Sequence, residues 1–289
     1  DVLQSRGLGD VYKRQERALG IKHHKADDNW FKSVLNEWGI DEKDSKVVYT
    51  DSGRKRFGKR IRKPYDDEDY IIEGDRICID HHTAHIYSAL SDCSQHAAFD
   101  GWGSGRNTGL TVTPDGQKRY KDLSVGKFLS YVGYAMDFKG MEVDFPGKVM
   151  GLQAYGTPDL DLARQINQDN ILDLCGEWML RGVDSKDSKF QDFVATVHKA
   201  CELIQLEYFK VFDSSKKISC SGGVMLNTVI NTELRKTYDI EIIPHVYDGG
   251  LSIGALRYAV GHNFDIGNFP YCQDDYACLL YTSDAADDP

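Results

Sequence analysis

The fold is decided by the stretch Lys217-Ile218-Ser219-Cys220-Ser221-Gly222-Gly223. Its first four residues are typical of a short strand, and the Ser-Gly-Gly that follows is typical of a tight turn at a strand end. Apolar spacing over residues 224–236 predicts a helix, and Ile240-Glu241-Ile242-Ile243 predicts the next strand. Together these elements form a βαβ unit, which predicts an α/β protein.

The Ser221-Gly222-Gly223 turn has two interpretations. Backbone N–H groups at the start of a helix form a natural site for anions such as phosphate. Glycines at a βα turn also serve tight packing alone, and the residues do not decide between the two. Tyr247-Asp248-Gly249-Gly250 repeats the arrangement of a strand end, glycines and a helix. Two such loops in one lobe favour a domain that holds a nucleotide between strand-terminal turns.

Residues 97–113 predict a β-hairpin whose strands are joined by a glycine-rich turn, with Pro114-Asp115-Gly116 as the next turn. Asp100 lies at the end of the first strand, where carboxylates are often placed for ligands or metals. Asp-Gly pairs are also frequent in turns for purely conformational reasons. The hairpin therefore makes Asp100 a candidate site residue and leaves the conformational explanation open.

The stretch richest in metal-ligand residue types is Asp80-His81-His82-Thr83-Ala84-His85. A strand-like run over residues 76–79 leads into it, and the residues after it predict a helix. On a helix, His81 and His85 lie one turn apart and present two imidazoles on one face. Such a pair can supply two nitrogen ligands to one metal ion, although histidines also serve as buried or surface polar residues.

Composition excludes several classes of protein. The chain has 289 residues and a formal net charge of -10, which argues against broad binding to nucleic acid or to an anionic membrane face. A basic run over residues 54–63 is followed at once by an acidic run over residues 66–69, so the two compensate each other. Seven cysteines without a CxxC pair suit a reducing cytoplasm, and no apolar run is long enough for a membrane span.

The remaining segments have simpler patterns. Helices are predicted over residues 30–38, with Asn29 as the N-cap, over residues 122–138 and over residues 190–212. Residues 41–70 are predicted to be an extended surface excursion, and residues 16–24 a polar surface loop with some ligand-type residues. One lysine among three glycines in residues 145–156 suits a loop that approaches a phosphate.

Five strings in this order resemble the O-carbamoyltransferase family that includes nodulation protein U and antibiotic carbamoyltransferases. They are HHTAH at 81–85, FDGWG at 99–103, PGKVMGLQAYG at 146–156, SGGVMLNTVIN at 221–231 and YDGGLSIGALRYA at 247–259. The resemblance covers most of residues 16–277. It implies an α/β domain of the actin–hexokinase type with RNase H-like lobes, related to tRNA threonylcarbamoyl transferases. In the family, a smaller YrdC-like domain follows.

The resemblance also implies an activity and a site. The YrdC-like domain would make carbamoyl adenylate from carbamoyl phosphate and ATP, and the present domain would transfer the carbamoyl group to a hydroxyl of a small-molecule or sugar acceptor. Iron is the implied metal, and a homodimer is compatible with the family. The implied metal ligands are His81, His85, Asp100 and Asp248, and the two aspartates are also the implied catalytic residues. The implied nucleotide contacts are Lys148, Gly151, Ser221, Gly222, Gly223 and Asn227.

Two departures from the family pattern concern the ends of the chain. Residues 1–15 and 278–289 resemble translated sequencing adapter, so the natural domain is expected over residues 16–277 and to be incomplete at its N-terminus. No YrdC-like segment is visible, and the fragment is expected not to form carbamoyl adenylate by itself. The acceptor pocket is expected to be shaped by loops such as residues 41–70 and 157–190.

Three other interpretations remain open from the sequence. A threonylcarbamoyl transferase acting on tRNA ranks lower because the GKVMGLQAYG and DGWG strings resemble the small-molecule branch and the chain is acidic. A metal-dependent hydrolase would use His81, His85 and a carboxylate to activate water. The glycine turns count against it, since a simple hydrolase has no need of them. A nucleotide-binding module without catalytic activity is the third interpretation.

Overall fold

The structure, a computed structural model, describes residues 32–33, 35–36, 39–41, 47–50, 69–73, 76–89, 91–121, 124–136, 138 and 142–261. The adapter-like ends at 1–15 and 278–289, the predicted cap Asn29 and the polar segment 16–24 lie outside these residues. Residues 32, 33, 35 and 36 are helical, in agreement with the first predicted helix. No helix within the described ranges has the length and apolar character needed to cross a membrane.

A three-stranded sheet precedes the histidine stretch. Its strands are β1 (Val47–Thr50), β2 (Tyr70–Glu73) and β3 (Arg76–Ile79), in the order β1-β3-β2. β1 is parallel to β3, and β2 is antiparallel to it. The prediction of an extended surface excursion over residues 41–70 was wrong for β1, because Val47-Val48-Tyr49 pairs with β3 and the Tyr49 side chain is buried.

A five-stranded sheet forms the second lobe. Its strands are β4 (Gln95–Phe99), β5 (Gly109–Thr113), β6 (Gly116–Tyr120), β7 (Ile218–Ser221) and β8 (Ile240–Ile242). The order is β6-β5-β4-β7-β8, with an antiparallel meander over β4, β5 and β6 and parallel pairing of β4 with β7 and of β7 with β8. This order and these directions are those of an RNase H-like lobe, as predicted, and they confirm both the hairpin and the βαβ unit.

Over residues 81–260, eight described α-helices connect and cover the strands. They are α1 (His81–Ser88), α2 (Val125–Ala135), α3 (Phe145–Leu152), α4 (Leu160–Gln165), α5 (Ile171–Arg181), α6 (Ser188–Phe209), α7 (Thr228–Leu234) and α8 (Leu251–Val260). The helices predicted over 122–138 and 190–212 are confirmed as α2 and α6. α6 is buried around most of its circumference over its middle turns, since the six consecutive residues 193–198 are all buried.

Two loop predictions were wrong. Residues 145–156 form α3 and a following 3-10 turn rather than a glycine-rich loop. Pro146 lies in the first turn, where its missing N–H costs nothing, and Phe145 and Val149 are buried one turn apart. Residues 157–190 contain α4 and α5, with Ile171 and Cys175 buried in the main core.

Helix α1 joins the two sheets. It follows β3 directly, and its Ile86 packs against Ala98 and Leu110 of the five-stranded sheet. On another side it meets α8 so closely that a Cβ atom at Gly254 would lie 1.7 Å from the carbonyl oxygen of Ala84. The histidine stretch is therefore held between three elements, and its position depends on all of them.

Candidate metal centre and nucleotide turn

The predicted histidine pair begins a helix with a well-defined N-cap. The Oδ1 atom of Asp80 accepts a hydrogen bond from the backbone N–H of Thr83, at 2.9 Å, which satisfies one of the free donors of the first turn. The backbone N–H of His81 donates to Ser104 Oγ at 3.0 Å. As the one-turn spacing predicted, the His81 and His85 rings lie on the same side of α1, with their centroids 4.8 Å apart.

Asp100 reaches the histidines from the end of β4. Its backbone N–H donates to the Thr108 carbonyl at 3.0 Å, so the hairpin itself fixes the residue. Its Oδ1 accepts from the N–H of Gly101 at 2.6 Å, while its Oδ2 lies 3.2 Å from His81 Nε2 and 3.1 Å from His85 Nε2. The two carboxylate oxygens thus have separate partners, and the second is directed at both imidazoles.

Asp248 approaches the same point from a different loop. It begins the 3-10 turn Asp248–Gly250, which leads into α8, the helix packed against α1. Its Oδ1 lies 3.6 Å from His81 Nε2 and 3.5 Å from His85 Nε2. The Asp248 side chain is 64% exposed, whereas that of Asp100 is 18% exposed. Of the two carboxylates, Asp248 is therefore the one that solvent and a substrate can reach.

The four predicted metal ligands converge, and their chemistry fits a divalent transition metal. Each contributes one ligand atom, and these atoms lie within 4.8 Å of one another. Ligands about 2.1 Å from a tetrahedral ion are about 3.4 Å apart, which is close to the four imidazole-to-carboxylate separations given above. Imidazole nitrogens and carboxylate oxygens together suit iron, manganese or zinc. The geometry thus brings together residues from α1, β4 and the loop before α8 in one candidate centre.

Electrostatics at the centre favour a cation between the carboxylates. Burial alone would lower the pKa of His85, but hydrogen bonds to Asp100 and Asp248 and their negative charges raise that pKa to about 9. Burial would raise the pKa of Asp100, yet the two histidines hold it well below its usual range. In the metal-free protein, a proton on the His85 imidazole would occupy the place that a metal ion would take.

This proton predicts a pH dependence of stability in metal-free protein. A histidine whose pKa is raised on folding, from 6.5 to about 9, stabilises the fold fully below pH 6.5 and loses that contribution as the pH rises through 9. We expect the difference in unfolding free energy between the wild type and His85→Gln, measured by urea in the presence of a chelator, to shrink from pH 6.5 to pH 9.5. A pH-independent difference would contradict this assignment.

His82 lies outside the cluster of His81, His85, Asp100 and Asp248. It is fully buried, and a Cβ atom at Gly103 would lie 2.4 Å from its Cε1 atom. Burial and the neighbouring His81 lower the pKa of His82 to about 3, so the ring is neutral. His82 therefore supports the glycine loop after Asp100 by packing.

The Ser221-Gly222-Gly223 turn lies directly beside Asp100. Gly222 has a φ of 89°, and its N–H donates to the Val246 carbonyl at 2.7 Å. A Cβ atom at Gly223 would lie 3.0 Å from Asp100 Oδ1. The chain after the turn forms a 3-10 helix, Gly223–Leu226, and then α7, so the single helix predicted over 224–236 is interrupted at Asn227. The turn therefore lies in contact with Asp100, one of the candidate metal ligands.

The three remaining candidate nucleotide contacts are Asn227, Lys148 and Gly151. Asn227 is the N-cap of α7, where its Oδ1 accepts from the N–H of Ile230, and its Nδ2 lies 3.0 Å from His198 Nε2. Its amide therefore has structural partners on both atoms. Lys148 and Gly151 lie on the exposed side of α3, and the Lys148 ammonium is 5.5 Å from the centre of the Phe138 ring. α3 adjoins the turn region, since Met150 Sδ is 3.9 Å from Thr228 Oγ1.

Sequence reasoning missed the residues that support the histidine helix. Asp80 followed by Thr83 is a helix-capping pattern, and this signal was available in the sequence. Arg119 of β6, which contacts Asp80 and Asp69, is one of several charged residues on a strand and gave no signal. Ser104, which is fully buried beneath His81, likewise has no distinguishing pattern around it.

Comparison with solved structures defines the class of fold. Component A of the (R)-2-hydroxyglutaryl-CoA dehydratase of Acidaminococcus fermentans matches with a TM-score of 0.50 and 14% identity, over 81% of this chain and 85% of that chain. The activator of the 2-hydroxyisocaproyl-CoA dehydratase of Clostridium difficile, solved with bound ADPNP, matches with a TM-score of 0.51 and 14% identity, over 82% and 85%. The chain thus has an actin–hexokinase-like α/β fold, as predicted.

Comparison with protein families identifies the family that one part of the chain resembles. Residues 163–256 match the family described as carbamoyltransferase N-terminus, which confirms the resemblance seen in the sequence and supports carbamoyl transfer as the general activity. The matched segment includes the Ser221-Gly222-Gly223 turn and Asp248, whereas His81, His85 and Asp100 precede it. A comparison with curated protein sequences gave no significant match.

Proposed function

We propose that this domain transfers a carbamoyl group from carbamoyl adenylate to a hydroxyl group of a small-molecule or sugar acceptor. The observation that carries the proposal is the convergence of His81, His85, Asp100 and Asp248 beside the Ser221-Gly222-Gly223 turn. A metal centre that adjoins a phosphate-type glycine turn suits a substrate with both a phosphate and a reactive acyl carbon. The match of residues 163–256 to the carbamoyltransferase N-terminus supports the same activity.

The four clustered side chains would hold a divalent metal ion, and iron is the ion that the family resemblance implies. When bound, such an ion supplies Lewis-acid polarisation of phosphate or carbamoyl oxygens. The chain's own contribution is to fix the ligands: the hairpin holds Asp100, the Asp80 cap begins α1, and the packing of α8 on α1 brings Asp248 close. Because both histidines are buried and the Asp100 side chain is much less exposed than that of Asp248, the exposed side of the centre is that of Asp248.

The transfer step moves the carbamoyl group from the phosphate of AMP to the acceptor hydroxyl. The acceptor oxygen attacks the carbamoyl carbon, the bond from that carbon to the phosphate oxygen breaks, and AMP leaves. Asp248 is placed to take the proton of the attacking hydroxyl, since its carboxylate is the more exposed one and Oδ2 of Asp100 is directed at both imidazoles. Because the N–H of Gly222 is bonded to the Val246 carbonyl, the N–H of Gly223 would be the glycine donor that stabilises the charge developing on the AMP phosphate.

The substrates follow from the same proposal. Carbamoyl adenylate would be made from ATP and carbamoyl phosphate by a YrdC-like domain, which is the expected partner of this domain. Ser221, Gly222 and Gly223 would contact the adenylate, and α3, with Lys148 and Gly151, would lie near it. Asn227 would act mainly by capping α7, which holds the turn in place.

The proposal is tested by carbamoyl transfer itself. With labelled carbamoyl phosphate, ATP and a separately supplied YrdC-like domain, we expect AMP release coupled to label in a hydroxyl acceptor. Asp248→Asn should lower the transfer rate about 10²- to 10⁴-fold, the usual contribution of a general base. Asp161→Asn, in the exposed helix α4, is the matched control and should have no effect.

Three outcomes would contradict the proposal. Transfer of a threonylcarbamoyl group to tRNA, in place of carbamoyl transfer, would assign the domain to the related tRNA enzymes. Metal-dependent ester or amide cleavage without any nucleotide would assign it to the hydrolases. Binding of AMP without any turnover would leave a nucleotide-binding module.

A further inference from the structure

A buried arginine ties the two sheets together at the start of the histidine helix. Arg119 lies on β6, the edge strand of the five-stranded sheet, and its side chain is 5% exposed. Arg119 Nη1 is 2.7 Å from Asp80 Oδ1, and Arg119 Nη2 is 2.8 Å from Asp69 Oδ1. Both aspartates belong to the other sheet, because Asp69 precedes β2 and Asp80 follows β3.

The same two aspartates organise the first turn of α1. Asp80 Oδ1 caps the helix through the N–H of Thr83, and the Thr83 hydroxyl lies 3.0 Å from Asp69 Oδ1 and 3.1 Å from Asp80 Oδ1. The N–H of Asp80 also donates to the Asp69 carbonyl at 2.7 Å. Arg119 is therefore bonded to the carboxylate that defines where α1 begins, one residue before His81.

This arrangement couples the two halves of the candidate metal centre. His81 and His85 lie on α1, whereas Asp100 lies at the end of β4 in the sheet that carries Arg119. Arg119 pairs in register with Leu110 of β5, which in turn contacts Ile86 of α1. A shift of the α1 N-terminus relative to this sheet would change the separation between the imidazoles and the Asp100 carboxylate.

We propose that Arg119 is a positioning residue for the metal centre: its bond to Asp80 fixes the histidine helix at the distance from Asp100 that metal binding requires. The inference rests on the proposed metal centre and deepens it. Replacing Arg119 would leave the buried carboxylate of Asp80 without its counter-ion, so the first turn of α1, which Asp80 caps, would shift. Residues that orient metal ligands in this indirect way typically change metal affinity about 10- to 100-fold when they are replaced.

The test uses Co²⁺ as the probe, because its visible absorption reports ligand geometry independently of enzyme activity. In the full chain, Arg119→Gln should weaken Co²⁺ binding about 10- to 100-fold and alter the absorption band of the bound ion. Arg119→Lys keeps the charge but not the two-pronged contact, so it should restore part of the affinity. Thr83→Val, which removes the bridging hydroxyl, should have a smaller effect in the same direction.

Gln95→Ala is the matched control for lost stability. Gln95 is buried in β4 of the same sheet and makes two hydrogen bonds to the backbone of Asp213, away from the cluster. The control should lower the melting temperature and leave both the Co²⁺ dissociation constant and the spectrum unchanged. If Arg119→Gln does not fold, Arg119→Lys and Thr83→Val carry the test.

Two results would overturn the inference, and they are distinguishable. If the wild type does not bind Co²⁺, the proposed metal centre fails and the role of Arg119 fails with it. If the wild type binds Co²⁺ and the foldable Arg119 and Thr83 variants retain its affinity and spectrum, the metal centre stands and the positioning role is wrong.

Discussion

Replacing His85 by alanine is expected to remove the bound metal ion and to lower carbamoyl transfer about 1,000-fold or more. The fully buried imidazole is one of only two nitrogen donors in the cluster, and no neighbouring side chain of the described cluster can replace it. Lewis-acid stabilisation amounts to several kcal/mol, and each 1.4 kcal/mol or so is a factor of ten in rate. Elemental analysis of the purified protein and the labelled transfer assay measure the two effects.

His96→Ala is the control for this variant. His96 lies on β4, in the same sheet, and it is outside the cluster. It should retain the metal content of the wild type. Undiminished metal in His85→Ala would remove that residue from the ligand set, whereas loss of metal in both variants would indicate a general effect on folding.

Replacing Gly222 by alanine is expected to destabilise the protein by about 2–6 kcal/mol and to weaken adenylate binding. The φ of 89° and ψ of 154° lie in a region that is essentially restricted to glycine, which costs an alanine about 1–3 kcal/mol. The added Cβ atom would lie 2.1 Å from the Phe99 carbonyl oxygen, an overlap that typically costs about 1–3 kcal/mol more. Urea denaturation measures the loss of unfolding free energy.

Gly176→Ala separates the effect of position from that of glycine replacement as such. Gly176 lies inside α5, and no atom of the described structure lies within 4 Å of an added Cβ there. Alanine should leave stability unchanged or raise it by up to about 1 kcal/mol. Equal stability of the Gly222 and Gly176 variants would show that the turn tolerates a side chain and can rearrange.

The fold was largely predictable because its signals are local. The pattern Ile218-Ser219-Cys220 followed by a glycine turn predicts β7, and an apolar strand followed by a glycine-rich turn and a second strand predicts the hairpin of β4 and β5. The cluster was also accessible, because the one-turn spacing of His81 and His85 fixes their common face. Asp100 and Asp248 approach the two histidines only because of how the five-stranded sheet and α8 pack. The sequence indicated this approach only through the family resemblance.

The errors arose where tertiary contacts override local composition. A lysine among glycines suggested a phosphate loop at residues 145–156, but burial of Phe145 and Val149 makes this segment a helix. β1 is too short and too surrounded by charged residues to be recognised before its pairing with β3 is known. Arg119 is the clearest case, since a charged residue on an edge strand becomes significant only when Asp69 and Asp80 are found beside it.

Anomalous X-ray diffraction from crystals of the full chain grown with Mn²⁺, together with AMP, tests the central claim most directly. We expect one anomalous peak about 2.0–2.2 Å from His81 Nε2, His85 Nε2 and an oxygen of each of Asp100 and Asp248. We also expect the AMP phosphate against the Ser221-Gly222-Gly223 turn. A peak elsewhere, or AMP bound away from that turn with the cluster empty, would contradict the account.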